Sequence, residues 1–172
     1  MHPRLTLVRG DITTLEVDAI VTAANDRLAG GGGVDGAVHR AAGPELLAAC
    51  RKIGGCPTGD ARITPGFRLK AKWVVHAVGP VWFGGAQNEA KHLASAYEKS
   101  LTLAGSKGCT SLAFPAISCG VYGFPIPAAC TIAARTVSSW LDGDERIARV
   151  LFVAFGADVL DAYRALGVIE VS

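Results

Sequence analysis

Two glycine-bearing turns carry the residues that could do chemistry. In the first, the largely apolar run Asp18 to Ala23 gives way to Asn25, then to four consecutive glycines, Gly30 to Gly33, and then to a helical pattern from Val34. Glycines let backbone N–H groups approach an anion closely, and the free amides and positive end of the following helix favour phosphate oxygens. A pyrophosphate fits that description. A plain connector would avoid the backbone entropy that four glycines cost, so the loop reads as a ligand loop. The second turn, FPAISCGVYGFP, sets Ser118, Gly120 and Gly123 between a strand at Ser111 to Phe114 and a helix start at Pro125. Two such loops in one small sheet can aim their amides into a single crevice, which neither specifies alone.

Polar side chains cluster on the same turns. Asp35 falls in the first turn of the helix after the glycines, where the helix dipole favours its ionised form and leaves it placed to accept a proton. Taken alone, an acid there is more often simply a helix-stabilising charge. His39 lies one helical turn further on and could face Asp35, although a structural histidine is the simpler reading. Asn25 follows a strand end, and its amide can donate to and accept from a pair of ribose hydroxyls. Tyr122 and Phe124 could line a sugar or cover the core. Cys119 has no histidine partner in sequence and reads as packing. GDIT, Gly10 to Thr13, offers a turn with a cap at Asp11, whose carboxylate could also accept from an exocyclic amine, and Phe155 could stack on a base or sit in the core.

The elements that must hold these residues follow from periodicity. Strands are expected at Leu5 to Val8, Asp18 to Ala23, Arg62 to Thr64, Trp73 to Val78, Ser111 to Phe114 and Val150 to Phe155, and helices at Val34 to Ala42, Pro44 to Lys52, Asn88 to Ala104, Pro125 to Leu141 and Asp158 to Leu166. Their alternation implies a mainly parallel sheet with helices on both faces. On the third helix, Ala90, Leu93, Ala94, Tyr97, Leu101 and Ala104 form a packing face.

Composition bounds the function. The chain has 172 residues, half of them hydrophobic, and 21 glycines, which suits one domain over residues 1–172. A net charge of +2 without a basic run argues against nucleic acid as partner. Five cysteines without a C-x-x-C pair, and histidines without zinc spacing, predict reduced thiols and neither metal nor cofactor. No leader-like segment or membrane span is evident, so a cytoplasmic protein is expected.

Taken in order, GDIT, DAIVTAAN, GGGGVDGAVHRAAGPEL, CPTGDARIT, VVHAVGPVW and FPAISCGVYGFP resemble a macrodomain of the MacroD type, nearest the bacterial O-acetyl-ADP-ribose deacetylases, along almost the whole chain. The resemblance implies a three-layer α/β/α sandwich around a mostly parallel, mixed six-stranded sheet with an antiparallel edge. It implies that Asp11 and Ile12 hold adenine, with Phe155 against it. Gly32, Gly33 and Val34 with Ser118, Cys119, Gly120, Val121 and Tyr122 would wrap the diphosphate and distal ribose, and Asn25 would orient that ribose. Asp35 would activate the water that attacks an O-acetyl group or an ester-linked protein carboxylate, releasing ADP-ribose. Water activation by the ligand's own diphosphate is a competing account, and a non-catalytic reader of ADP-ribose on proteins is the alternative function. Departures from the family pattern are Thr22 in place of a common asparagine, Cys119 for threonine, Phe124 for tyrosine, and GADV after Phe155 in place of acidic residues. The lost hydroxyls imply slower turnover.

Overall fold

The computed structural model describes all 172 residues. Its strands are β1 (Leu5–Arg9), β2 (Ala19–Ala23), β3 (Ala61–Pro65), β4 (Trp73–Ala77), β5 (Ser111–Phe114), β6 (Arg149–Ala154) and β7 (Ile169–Glu170). They form one sheet in the order β3-β4-β2-β5-β6-β1-β7, in which β3 alone runs antiparallel to its neighbour. The helices are α1 (Gly33–Ala42), α2 (Pro44–Ile53), α3 (Glu89–Ser106), α4 (Ile126–Gly143) and α5 (Ala157–Ala165). None is long and apolar enough to cross a membrane.

The sheet has seven strands, one more than expected. The extra one, β7, is two exposed residues paired to Thr6 and Leu7 of β1. So short a segment carries no periodic signal.

Alternation along the strands builds the layers, because successive side chains point to opposite faces. Ala19 and Val21 of β2, with Val150, Phe152 and Ala154 of β6, join the larger core against α3, α4 and α5. Ile20, Leu151 and Val153 face the other way, against Val38 and Ala42 of α1 and Leu46 of α2. The expected packing face of α3 holds at Leu93, Tyr97, Leu101 and Ala104, but Ala90 is exposed, and Ala96 and Ser100 take buried places instead. The α3 stripe therefore begins one turn later than its apolar residues suggest, because Ala90 sits in the first turn and Glu89 is the buried residue there.

This topology opens the crevice. The chain leaves β2 toward α1 on one face and leaves its neighbour β5 toward α4 on the opposite face, so the two connections diverge above the carboxyl ends of adjacent parallel strands. Open α/β sheets bind ligands at such a switch point.

Candidate functional site

A cavity of about 320 Å³ fills that crevice. Its walls are Ala23 to Asn25 at the end of β2, Gly31, Gly32, Val34 and Asp35 on the glycine side, and Pro115 to Ser118, Gly120, Val121 and Tyr122 on the β5 side, with Gly79 between. A second cavity of about 360 Å³ adjoins it across Val34 and Pro115, lined by Gly10, Asp11, Ile12, Gly33, Ala37, Arg40, Val153 and Phe155. The two glycine-bearing turns thus share one crevice, and the GDIT turn and Phe155 share the next.

Close backbone packing seats the glycine loop on α1. A Cβ on Gly36 would lie 2.5 Å from the Gly31 carbonyl oxygen, so only glycine lets that loop lie against the helix. The Gly36 amide closes the first helical bond to Gly32 at 3.1 Å, while α1 begins without a side-chain cap. Its uncapped first-turn amides remain donors for an anion. Across the crevice, Ser118 holds a left-handed backbone (φ 67°), a costly conformation for a residue with a side chain. Its buried hydroxyl has no protein partner and lies where a Cβ on Gly79 would collide with it at 2.2 Å.

Asp35 is 5% exposed and lines the first cavity. Its Oδ1 accepts a hydrogen bond of 2.9 Å from Thr22 Oγ1 and lies 3.6 Å from His39 Nε2. The sequence reading had the helix dipole favouring the carboxylate. Burial dominates instead and pushes the Asp35 pKa above the ordinary carboxylate value, against the opposing pulls of Thr22 and His39. Behind it, between sheet and helices, His76 Nε2 lies 2.9 Å from Thr64 Oγ1, and both ring nitrogens lie 3.8 Å from the Cys50 sulfur. Burial, aided by His39, lowers the His76 pKa to about 4, which keeps the ring neutral near pH 7.

Several expected roles change on contact geometry. Both ends of the Asn25 amide are engaged locally, Nδ2 donating to Gly30 O at 2.7 Å and Oδ1 accepting from the Ala29 amide at 3.0 Å. Asn25 therefore ties down the glycine loop, and one donor hydrogen and one lone pair are left for anything in the cavity. Cys119 does not line the cavity. Its thiol points to the Ile117 carbonyl and packs on the larger core, with burial pushing its pKa up to about 12. Phe124 is buried and packs at a tilt against Trp82, with ring centroids 4.7 Å apart, so it covers core and faces no sugar. Phe155 is 84% exposed at the rim of the second cavity, and the core alternative for it is excluded. Asp11 caps its own turn, Oδ1 accepting from the amide and hydroxyl of Thr13 at 2.9 and 2.7 Å, and Oδ2 stays without a protein partner.

Three contributors escaped the sequence reading. Thr22 was read only as a departure, yet the alternation that turns Ile20 toward α1 also turns Thr22 there. Arg40 lines the second cavity without any acidic partner, and its place one turn beyond Ala37 on the same face was a signal. Glu89 accepts from the amides of Phe83, Gly85 and Gln87 at 2.9, 2.9 and 2.5 Å, and those bonds hold its pKa at about 2 although burial pushes the other way. It shapes the loop whose Trp82 amide bonds the Tyr122 carbonyl at 2.8 Å. Nowhere do three or more His, Cys, Asp or Glu side chains converge as a metal centre requires.

Comparison with known proteins agrees with this architecture. The family model described as Macro domain matches residues 21–133. A macro domain-containing protein of Chlorobaculum tepidum is 55% identical over 157 residues, 91% of each chain. A protein of Klebsiella pneumoniae named O-acetyl-ADP-ribose deacetylase is 55% identical over 164 residues, covering 93% of this chain and 94% of its own. The crystal structure of a Trypanosoma brucei macrodomain in complex with ADP-ribose superposes with a TM-score of 0.90 at 40% identity, over 95% of this chain and 69% of that one.

Proposed function

Since the chain belongs to the macrodomain family, we propose that it binds ADP-ribose across the two joined cavities and hydrolyses the acyl ester of O-acetyl-ADP-ribose, with Asp35 as proton acceptor. Adenine would occupy the second cavity, against Phe155, with its amine toward the free oxygen of Asp11 and its ring edge toward the Ile12 backbone. The diphosphate would lie between the amides of Gly32 to Val34 and those of Ser118 to Tyr122, with Arg40 adding a cation beside it. The distal ribose would then fill the first cavity near Asn25 and Asp35.

The reaction that this arrangement supports is acyl transfer to water. Water attacks the acyl carbon as Asp35 takes its proton, and the tetrahedral intermediate expels the ribose oxygen, which recovers that proton from Asp35. Acetic acid leaves as acetate and a proton. Burial makes Asp35 a stronger base than an exposed carboxylate, so the rate should rise with pH through a midpoint above the ordinary aspartate value of 3.8. The observation that carries the reading is the cavity-lining carboxyl of Asp35, 5% exposed and hydrogen-bonded, between two converging amide-bearing turns. Ester-linked ADP-ribose on protein carboxylates has the same reacting bond, and Val121, fully exposed on the rim, leaves the cavity mouth open toward a larger substrate.

Parallel incubation with O-acetyl-ADP-ribose and with a glutamate-linked ADP-ribosyl protein, following free ADP-ribose, tests this. Turnover of the first, depressed at least a hundredfold by Asp35→Ala with affinity changed less than about threefold, is the expected result. Tight ADP-ribose binding with no product from either ester would make the protein a reader instead.

A further inference from the structure

Asp35 has two oxygens in different surroundings. Oδ1 takes the Thr22 hydrogen bond and lies nearest His39, while Oδ2 has no protein partner and belongs to the cavity-lining carboxyl. Thr22 is the fully buried fourth residue of β2, paired in register with His76. A β-branched side chain on a strand is stiff at χ1, so the Thr22 hydroxyl is a fixed donor. At 3.6 Å, His39 is beyond a good hydrogen bond and acts on Asp35 chiefly through charge, when protonated.

We infer that Thr22 is a positioning residue, whose hydroxyl fixes the Asp35 carboxyl so that Oδ2 faces the reacting water and sets the pH at which that oxygen becomes a base. The inference rests on the proposed hydrolysis for its kinetic consequence, but the orientation and proton affinity of Asp35 can be read without any substrate. The other titratable groups facing Asp35 are few. They are His39 on its own helix, the neutral His76 of β4 behind it, the Cys50 thiol of α2, raised to about 11, and the Tyr122 phenol across the cavity, also raised. None of these donates a hydrogen bond to Asp35 as the uncharged Thr22 hydroxyl does at 2.9 Å, so Thr22 supplies the principal stabilisation of the Asp35 anion, ahead of His39.

Thr22→Val removes the donor at nearly constant volume, and Thr22→Ser keeps the donor while removing the methyl. The Asp35 carboxyl carbon is followed by ¹³C NMR from pH 3 to 8 in each protein, alongside the pH profile of kcat/KM on O-acetyl-ADP-ribose and a thermal melt to confirm folding. In Thr22→Val the NMR midpoint and the acidic limb of the profile should both move to higher pH, and kcat should fall tenfold or more with KM within about threefold. Thr22→Ser should return all three readouts to within about threefold of the parent, or half a pH unit. A Thr22→Val protein whose Asp35 titrates as in the parent overturns the inference, as does a Thr22→Ser protein that behaves like Thr22→Val, since methyl packing would then be the cause. If the parent turns over no ester, the proposed hydrolysis fails while the NMR midpoints still decide for or against Thr22.

Discussion

Gly36→Ala should damage ligand binding while leaving the fold intact. Inside a helix, glycine to alanine ordinarily stabilises by about 1 kcal/mol. Here the new Cβ would lie 2.5 Å from the Gly31 carbonyl oxygen and 3.2 Å from Arg40 Nη1. The arginine tip can swing away, but the carbonyl belongs to the backbone of the glycine loop. An unstrained carbon to oxygen contact needs about 3.3 Å, so Gly31 has to retreat by about 0.8 Å. Overpacking of this kind costs about 1–3 kcal/mol, which the helix gain partly offsets, for a net loss of about 0–2 kcal/mol. The larger effect falls on the loop amides. Losing one hydrogen bond to a charged phosphate costs about 1.5–3 kcal/mol, or roughly 10- to 100-fold in Kd. Calorimetric titration with ADP-ribose and a melting curve on the same sample measure both, with Gly143→Ala, at the end of α4 with open space around it, as the control. A Gly36→Ala protein that melts higher and binds as tightly as the parent would refute the claim that the loop is seated on this helix.

Other consequences are as direct. Glu89 has its pKa lowered from the ordinary 4.5 to about 2, so its contribution to stability is full above pH 4.5 and is lost as pH falls toward 2. Urea unfolding between pH 6 and 2.5 should show that loss, and Glu89→Gln should flatten it. Phe155→Ala removes an exposed ring and should weaken ADP-ribose by about 1–2 kcal/mol through lost stacking while sparing thermal stability, as titration and melting would report. Arg40→Ala should weaken ADP-ribose several-fold at low salt and by less at high salt, because an exposed guanidinium acts through screened charge.

The readable parts of this protein were those written in local pattern. Gly30 to Gly33 and Ser118 to Gly123 announced two amide-bearing turns, and alternating strands and helices announced a mainly parallel sheet whose strand ends could bring them into one crevice. What stayed hidden depended on distant partners. Nothing around Asp35 in the chain shows that β2 will bury it, so dipole arguments gave the wrong direction for its pKa. Asn25 looked free because its partners, Ala29 and Gly30, become neighbours only once Leu28 takes a left-handed turn (φ 54°). Glu89 gave no signal, since the three amides it collects lie in a loop without any regular pattern. Thr22 in AIVTA and His76 in WVVHA, each a polar residue in an otherwise apolar strand, were the local trace of a buried polar layer that Thr64 of β3 completes.

The central claim is that two turns converge to grip one diphosphate, and titration calorimetry of ADP-ribose into the folded wild-type protein tests it most directly. Saturable binding of one molecule per chain, with adenosine alone binding at least tenfold more weakly, is the result expected. No heat up to millimolar ADP-ribose, or adenosine binding as tightly, would contradict it.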